Sequence, residues 1–250
     1  MVKTKTALFA AGIVLAMVFT HSCSSDGGGG DGGSVTYEGQ TYKTVKIGAQ
    51  TWMAENLNYN VSGSKCFGEG GTAYIYDEET DDDIEKTLSG AEVQANCLKY
   101  GRLYDWSTAM GLPSSCNWSG CSSQIQSNHR GICPIGWHIP SNADWDELFI
   151  YVDAENDGDG SYTAGMYLKA TTGWSNNGNG TDKYGFSALP GGYGDSDGSF
   201  GDVGYRGFWW SASEDHSSSA FYWIMHNYDS YVDRSYGSKS VLFSVRCLQD

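Results

Sequence analysis

The sequence predicts one loop-rich domain of short strands with little helix, and three observations point there. Gly, Tyr and Trp number 34, 17 and 9 in 250 residues, while only 18% of residues are charged, a composition of turns and aromatic strands. Short runs alternate apolar and polar residues, as half-buried strands do. One stretch, Trp145 to Val152, carries a clear helical period.

The elements follow in chain order. Lys3 and Lys5 precede an uncharged apolar run from Ala7 to Phe19, then Thr20-His21-Ser22 and Cys23. This layout predicts a lipoprotein signal peptide over 1–22, with Cys23 as the lipidated N-terminus. Thr20 stands where a larger aliphatic residue is expected and His21 is unusual, so an ordinary signal peptide with an incidental Cys23 is the alternative. The apolar run is shorter than the ~20 residues a spanning helix needs. Residues 23–34, almost all Gly, Ser and Asp, predict a flexible tether, and 35–250 one domain.

Val35-Thr36-Tyr37, Tyr42 to Ile47 and Gln50 to Met53 alternate around a Gly48-Ala49 turn, which predicts a hairpin at the domain entrance. Thr72 to Glu85 is rich in Asp and Glu and reads as a solvated acidic loop. Ala91 to Met110 reads as short helices, with Leu103, Trp106 and Met110 at helical spacing. Ser141 to Asp144 resembles a capping box, and Trp145, Leu148, Phe149 and Val152 follow at i, i+3, i+4 and i+7. A short helix is expected from Ala164 to Ala170, and short strands separated by turns from Gly185 to Cys247.

With Cys23 set apart, six of seven cysteines remain. An even set in an exported chain argues for three disulfides, and six cysteines allow about 15 pairings. Cys116 and Cys121 have no second close pair with which to build a zinc site. Losing residues 1–22 removes Lys3 and Lys5 and takes the formal charge from −15 to −17. Nothing basic is clustered, which argues against nucleic acid or an anionic membrane surface as partner.

Asp153 to Asp159 places acidic residues at alternate positions with Gly158 sixth, as a calcium loop does. The twelfth position holds Ala164 where Glu is needed, so a polar surface loop is the expectation. Asp195, Asp197 and Asp202 form a second acidic cluster read the same way. His129, His138, His216 and His226 accompany no nucleophile motif, and His138 reads as part of a packed turn, so no catalysis is expected.

Six ordered segments resemble one family, the Fibrobacter succinogenes major paralogous domain. They are Tyr42 to Gly48, Gln50 to Leu57, Lys99-Tyr100-Gly101-Arg102-Leu103-Tyr104, Cys133-Pro134-Ile135-Gly136-Trp137-His138-Ile139-Pro140, Gly185 to Tyr193, and Phe243-Ser244-Val245-Arg246-Cys247. The resemblance implies a compact α+β domain of C-type-lectin-like fold: small antiparallel sheets, two or three short helices and a long irregular loop region, with the termini together. It also implies the bridges Cys133–Cys247, Cys66–Cys97 and Cys116–Cys121. Asp153 to Gly160 looks inserted relative to that pattern. The calcium motifs of sugar-binding lectins of this fold are missing, so no metal or other cofactor is expected.

The aromatic-rich stretch from Tyr205 to Tyr236 is the candidate binding face, since exposed Tyr and Trp stack on sugars and anchor interfaces. Alternation from Phe221 puts Tyr222, Ile224 and His226 on one face and Trp223 and Met225 on the other. The resemblance implies Tyr222 inward, which leaves Trp223 outward beside Tyr205, Tyr228 and Tyr231. The expectation is a cell-surface or outer-membrane lipoprotein, held to the membrane by its lipid alone. It would bind polysaccharide, such as plant cell-wall glycan, through these aromatics without metal. The alternative partner is a surface protein, in an adhesive or assembly role.

Overall fold

The computed structural model describes residues 32–77, 79–156 and 163–250. The expected signal peptide, Cys23 and most of the tether lie outside these residues, as do Asp157 and Asp159 of the acidic loop. No described helix is long and apolar enough to cross a membrane.

Strands β1 (Ser34–Tyr37), β2 (Gln40–Ile47) and β3 (Gln50–Met53) form the antiparallel entrance predicted from alternation. Glu38 and Gly39 take φ of 48° and 78° in the first turn, the hand that matches strand twist. Strands β4 (Thr72–Asp77) and β5 (Asp82–Lys86) pair antiparallel, which corrects the reading of this acidic stretch as a loop. The carboxylates serve the hairpin: Asp77 accepts the backbone N–H groups of Glu79 and Thr80, and Asp81 accepts the Tyr76 hydroxyl.

Helix α1 (Gly90–Tyr100) opens on a capping box between Ser89 and Glu92. Gly101 then takes φ 77°, and β6 (Leu103–Tyr104) follows. Leu103 therefore lies on a strand, not on the helix its spacing from Trp106 and Met110 predicts. Helix α2 (Trp106–Ala109) starts at Asp105, whose side chain accepts the Thr108 N–H. After β7 (Trp137–His138) comes α3 (Asn142–Asn156), with Ser141 and Asp144 exchanging backbone-to-side-chain hydrogen bonds at 2.8 and 3.3 Å as expected. Helix α4 (Ala164–Leu168) stops short of Ala170.

The remainder is β8 (Gly191–Gly194), β9 (Ser199–Val203), β10 (Arg206–His216), β11 (Ser219–His226), β12 (Val232–Ser238), β13 (Phe243–Ser244) and β14 (Leu248–Gln249). Strand β10, at 11 residues, is longer than the short strands expected here. A five-stranded antiparallel sheet has the order β1-β2-β3-β14-β7. A nine-stranded sheet runs β12-β11-β10-β8-β9-β4-β5, with β13 on β10 and β6 on β13. This second sheet is larger than expected and includes parallel pairings of β10 with β8 and β13, and of β4 with β9. With four α-helices among the described residues, the architecture is α+β.

Strand β14 joins the entrance sheet beside β3, and the Met53 N–H reaches Cys247 O at 3.0 Å. Cys133–Cys247 locks that junction across 114 residues of sequence. Cys66–Cys97 and Cys116–Cys121 complete the pairing that the family resemblance implies. In the chain-entropy account a loop of this length is worth roughly 4–5 kcal/mol, against about 2 for the short Cys116–Cys121 loop.

Two hydrophobic clusters cover opposite faces of β10 and β11. Trp210, Phe208, Phe243 and Tyr104 belong to one, with Tyr222 and Ile224 packed against it. Trp209, Trp223, Met225, Trp145, Phe149 and Trp52 belong to the other. Adjacent residues Trp209 and Trp210 thus point opposite ways and are both buried. Trp223 is also buried, 6% exposed, under Phe149 of α3, with ring centroids 4.7 Å apart. This corrects its placement on an outward face: α3 covers that side of β11.

Candidate functional site

Four tyrosines gather where β4, β9 and β10 approach the segment after β11. Tyr74, Tyr76, Tyr205 and Tyr228 line a groove of about 370 Å³ with Asp83, Asp202, Arg206, Asn176 and Asn227. The parallel pairing of β4 on β9 brings the acidic hairpin to this place.

Local turns fix each side chain. Asp202 takes φ 63° and its carbonyl accepts the Tyr205 N–H at 3.0 Å. The Tyr205 carbonyl in turn accepts the Asn227 N–H at 2.9 Å, tying the β9–β10 turn to the end of β11. The Tyr205 ring meets Tyr76 edge to face at 5.3 Å, an arrangement that suits the aromatic quadrupole. Arg206 Nη1 pairs with Asp202 Oδ2 at 3.0 Å. Tyr228 is 70% exposed and leans on the His226 ring at 4.9 Å. His226 Nε2 lies 3.3 Å from Asp233 Oδ2. The Tyr74 hydroxyl donates to Glu85 at 3.3 Å, and that carboxylate pushes the phenol's pKa up.

This arrangement offers aromatic faces and edges beside amides, carboxylates and one guanidinium. It suits a ligand with apolar C–H faces and a rim of hydroxyls. Of the four residues expected to bind, Tyr205 and Tyr228 line the groove. Tyr231 is 48% exposed but outside its lining, and Trp223 is in the core. Tyr74 and Tyr76 were missed, although their alternation with Ala73 and Ile75 is a strand signal.

The other acidic candidates have local roles. Asp197 accepts the Ser199 N–H at 2.8 Å, and hydrogen bonds from the Ser199 side chain and backbone lower its carboxyl pKa; Asp195 accepts from Ser196. Asp153 is buried in α3. Among the described residues no group of His, Cys, Asp and Glu is placed to hold a metal ion. His138 is buried, with Nδ1 2.8 Å from Asp250 and Nε2 3.6 Å from Asp144. The second distance is a charge contact too long for a hydrogen bond. Burial disfavours the His138 cation, but the two carboxylates outweigh that and raise its pKa.

A family model, that of the Fibrobacter succinogenes major domain (Fib_succ_major), matches residues 45–249. No curated protein and no solved structure matches the chain.

Proposed function

The chain belongs to the Fibrobacter succinogenes major domain family, and from that premise we propose a non-catalytic, metal-independent polysaccharide-binding module on an exported lipoprotein. The observation that carries this reading is the tyrosine groove. Tyr76 and Tyr205 hold each other edge to face at its wall, while Tyr228 stands exposed beside them. Tyrosine is an economical platform for a sugar face, because few rotamers are lost on binding and the hydroxyl remains a donor. Asp83, Asn176 and Asn227 supply the hydrogen-bonding groups that sugar hydroxyls need.

The finer fold reading, a C-type-lectin-like domain, fits the C-terminal strand lying against the entrance sheet. Lipidation at Cys23 would put the groove on the outer membrane or cell surface, held by the lipid and the Gly-rich tether. Plant cell-wall glycans are the ligand class proposed. The second reading is a protein-interaction or adhesion module. It is favoured by Tyr231 and Tyr236, 48% and 61% exposed outside the groove, since tyrosine is enriched at interface hot spots.

Affinity electrophoresis of the full-length protein in detergent, against soluble xylan, glucomannan and mixed-linkage glucan, tests the proposal. Saturable retardation on at least one neutral glycan is expected, unchanged by EDTA. Tyr228→Ala and Tyr205→Ala should each weaken it by about fivefold, as loss of a stacked ring worth on the order of 1 kcal/mol predicts. Migration unaffected by every glycan, together with capture of one defined protein, favours the second reading instead.

A further inference from the structure

A second recess, of about 530 Å³, lies between β2, the segment after β3, the end of α1 and the 185–189 loop. Its charge runs against that of the molecule. The chain carries a formal −15, yet the recess is lined by Lys43, Lys99 and Arg246 against the single carboxylate of Glu55.

Arg246 is 1% exposed, and every acceptor of its hydrogen bonds is neutral. Nε and Nη2 donate to Asn56 Oδ1 at 3.1 and 2.7 Å, Nη1 donates to the Phe186 carbonyl, and Nη2 reaches the Ser187 carbonyl at 3.4 Å. Asn56 cannot turn away, because its amide donates to Tyr100 O at 2.9 Å while its oxygen also accepts the Trp209 indole at 2.8 Å. Among the described residues the guanidinium is therefore a fixed charge without a carboxylate in contact. Burial pulls its pKa down to about 9, offset only in part through space by Asp182 and Glu55. A desolvated cation in this position lacks the paired anion that ordinarily accompanies one.

At the mouth, Lys43 is exposed and forms no ion pair among the described residues. Lys99 is also exposed, with its Nζ 4.6 Å over the Tyr100 ring. Leu98, 73% exposed on the same helix end, adds an apolar side chain to the lining. Asn58 adds an amide to the lining.

We propose that this recess binds the carboxylate of an acidic sugar, a uronate unit of a polysaccharide. Lys43 and Lys99 hold the carboxylate at the mouth, Arg246 supplies the fixed charge of the floor, and Leu98 meets the C–H face of the ring. The volume falls within the usual range for small-ligand sites, about 300–1,000 Å³. The inference rests on the glycan reading only in taking the ligand to be a sugar. The site is separate from the tyrosine groove and has its own chemistry.

Isothermal titration of the full-length protein in detergent with trigalacturonate, and with its neutral counterpart galactotriose, tests it. Trigalacturonate should bind and galactotriose should bind at least tenfold more weakly. Raising salt from ~20 mM to ~300 mM should weaken trigalacturonate binding several-fold, as screening of exposed charges requires. The double variant Lys43→Gln, Lys99→Gln should lose at least tenfold in affinity while keeping its melting temperature, since both side chains are at the surface. Tyr228→Ala should leave trigalacturonate binding unchanged. Equal binding of the two sugars, no binding of trigalacturonate, or full affinity in the double variant overturns the proposal. So does loss of trigalacturonate binding in Tyr228→Ala, which would move it to the tyrosine groove. Retention of neutral glycans is read separately, so either site can fail alone.

Discussion

Replacing Trp223 by Ala separates core from surface in the aromatic stretch. The side chain is 6% exposed, and its ring packs 4.7 Å from Phe149 and 6.5 Å from Trp145. A buried Trp removes about 150–250 Å² from water, or about 4–6 kcal/mol at ~25 cal/mol per Å². Alanine keeps the Cβ share of that, while the new cavity adds a cost. The indole N–H has no hydrogen-bond partner among the described residues, so its loss strands none of them. The expected destabilisation is about 4 kcal/mol, inside the roughly 3–5 measured for such truncations. For a domain of this size each kcal/mol shifts Tm by about 2–4 °C, so Tm should fall by roughly 8–16 °C. Tyr228→Ala, at a side chain 70% exposed, should stay within about 0.5 kcal/mol of the parent. Thermal unfolding followed by near-ultraviolet circular dichroism reads both. A Tm loss under about 2 °C in Trp223→Ala, with glycan retention abolished, would refute the burial argument and restore Trp223 to the binding face.

Two further outcomes are expected. The His138 pKa is raised against burial by Asp144 and Asp250, so its share of stability is complete below the unfolded value of about 6.5 and is lost as pH rises through the higher folded value. Urea unfolding should show lower stability at pH 8.5 than at pH 6, and Asp250→Asn should shrink that difference; an undiminished difference removes His138 as its source. In protein from its native host, the N-terminal peptide should begin at Cys23 and carry the mass of acyl chains. An unmodified peptide that starts beyond Cys23 rules out the anchor.

The parts of this fold that were legible in the sequence are those governed by local chemistry. The β1–β3 entrance follows from alternation and turn residues, and α3 from its capping box and apolar period. Leu103 misled because its helical spacing to Trp106 and Met110 runs across Asp105, whose extended backbone caps the start of α2. The β4–β5 hairpin was hidden because its carboxylates dominate the composition while only Ala73 of the pair is fully enclosed. Alternation in β11 divided Tyr222 from Trp223 correctly. It could not show that both faces are covered, one by Trp210 and Phe243, the other by α3 from some 75 residues away. The groove was half visible for the same reason. Tyr205 and Tyr228 come from the aromatic stretch, whereas Tyr74 and Tyr76 arrive through a parallel strand contact that no local pattern encodes. The recess around Arg246 depends on Asn56, 190 positions earlier.

Strand β5 ends the nine-stranded sheet, and all five of its residues, Asp82-Asp83-Ile84-Glu85-Lys86, are exposed. A terminal strand presents a row of unpaired N–H and C=O groups on which a second copy can build. Adjoining strands lie about 4.8 Å apart, well inside the ~8 Å over which physiological salt screens charge. Two copies that met along this rim would therefore bring their acid rows together before the backbone bonds could close. Such repulsion would act against polymerisation through this edge of the sheet. It would act most where copies stand densest, and it would leave the tyrosines of β4, one strand inward, to a ligand and not to a neighbour.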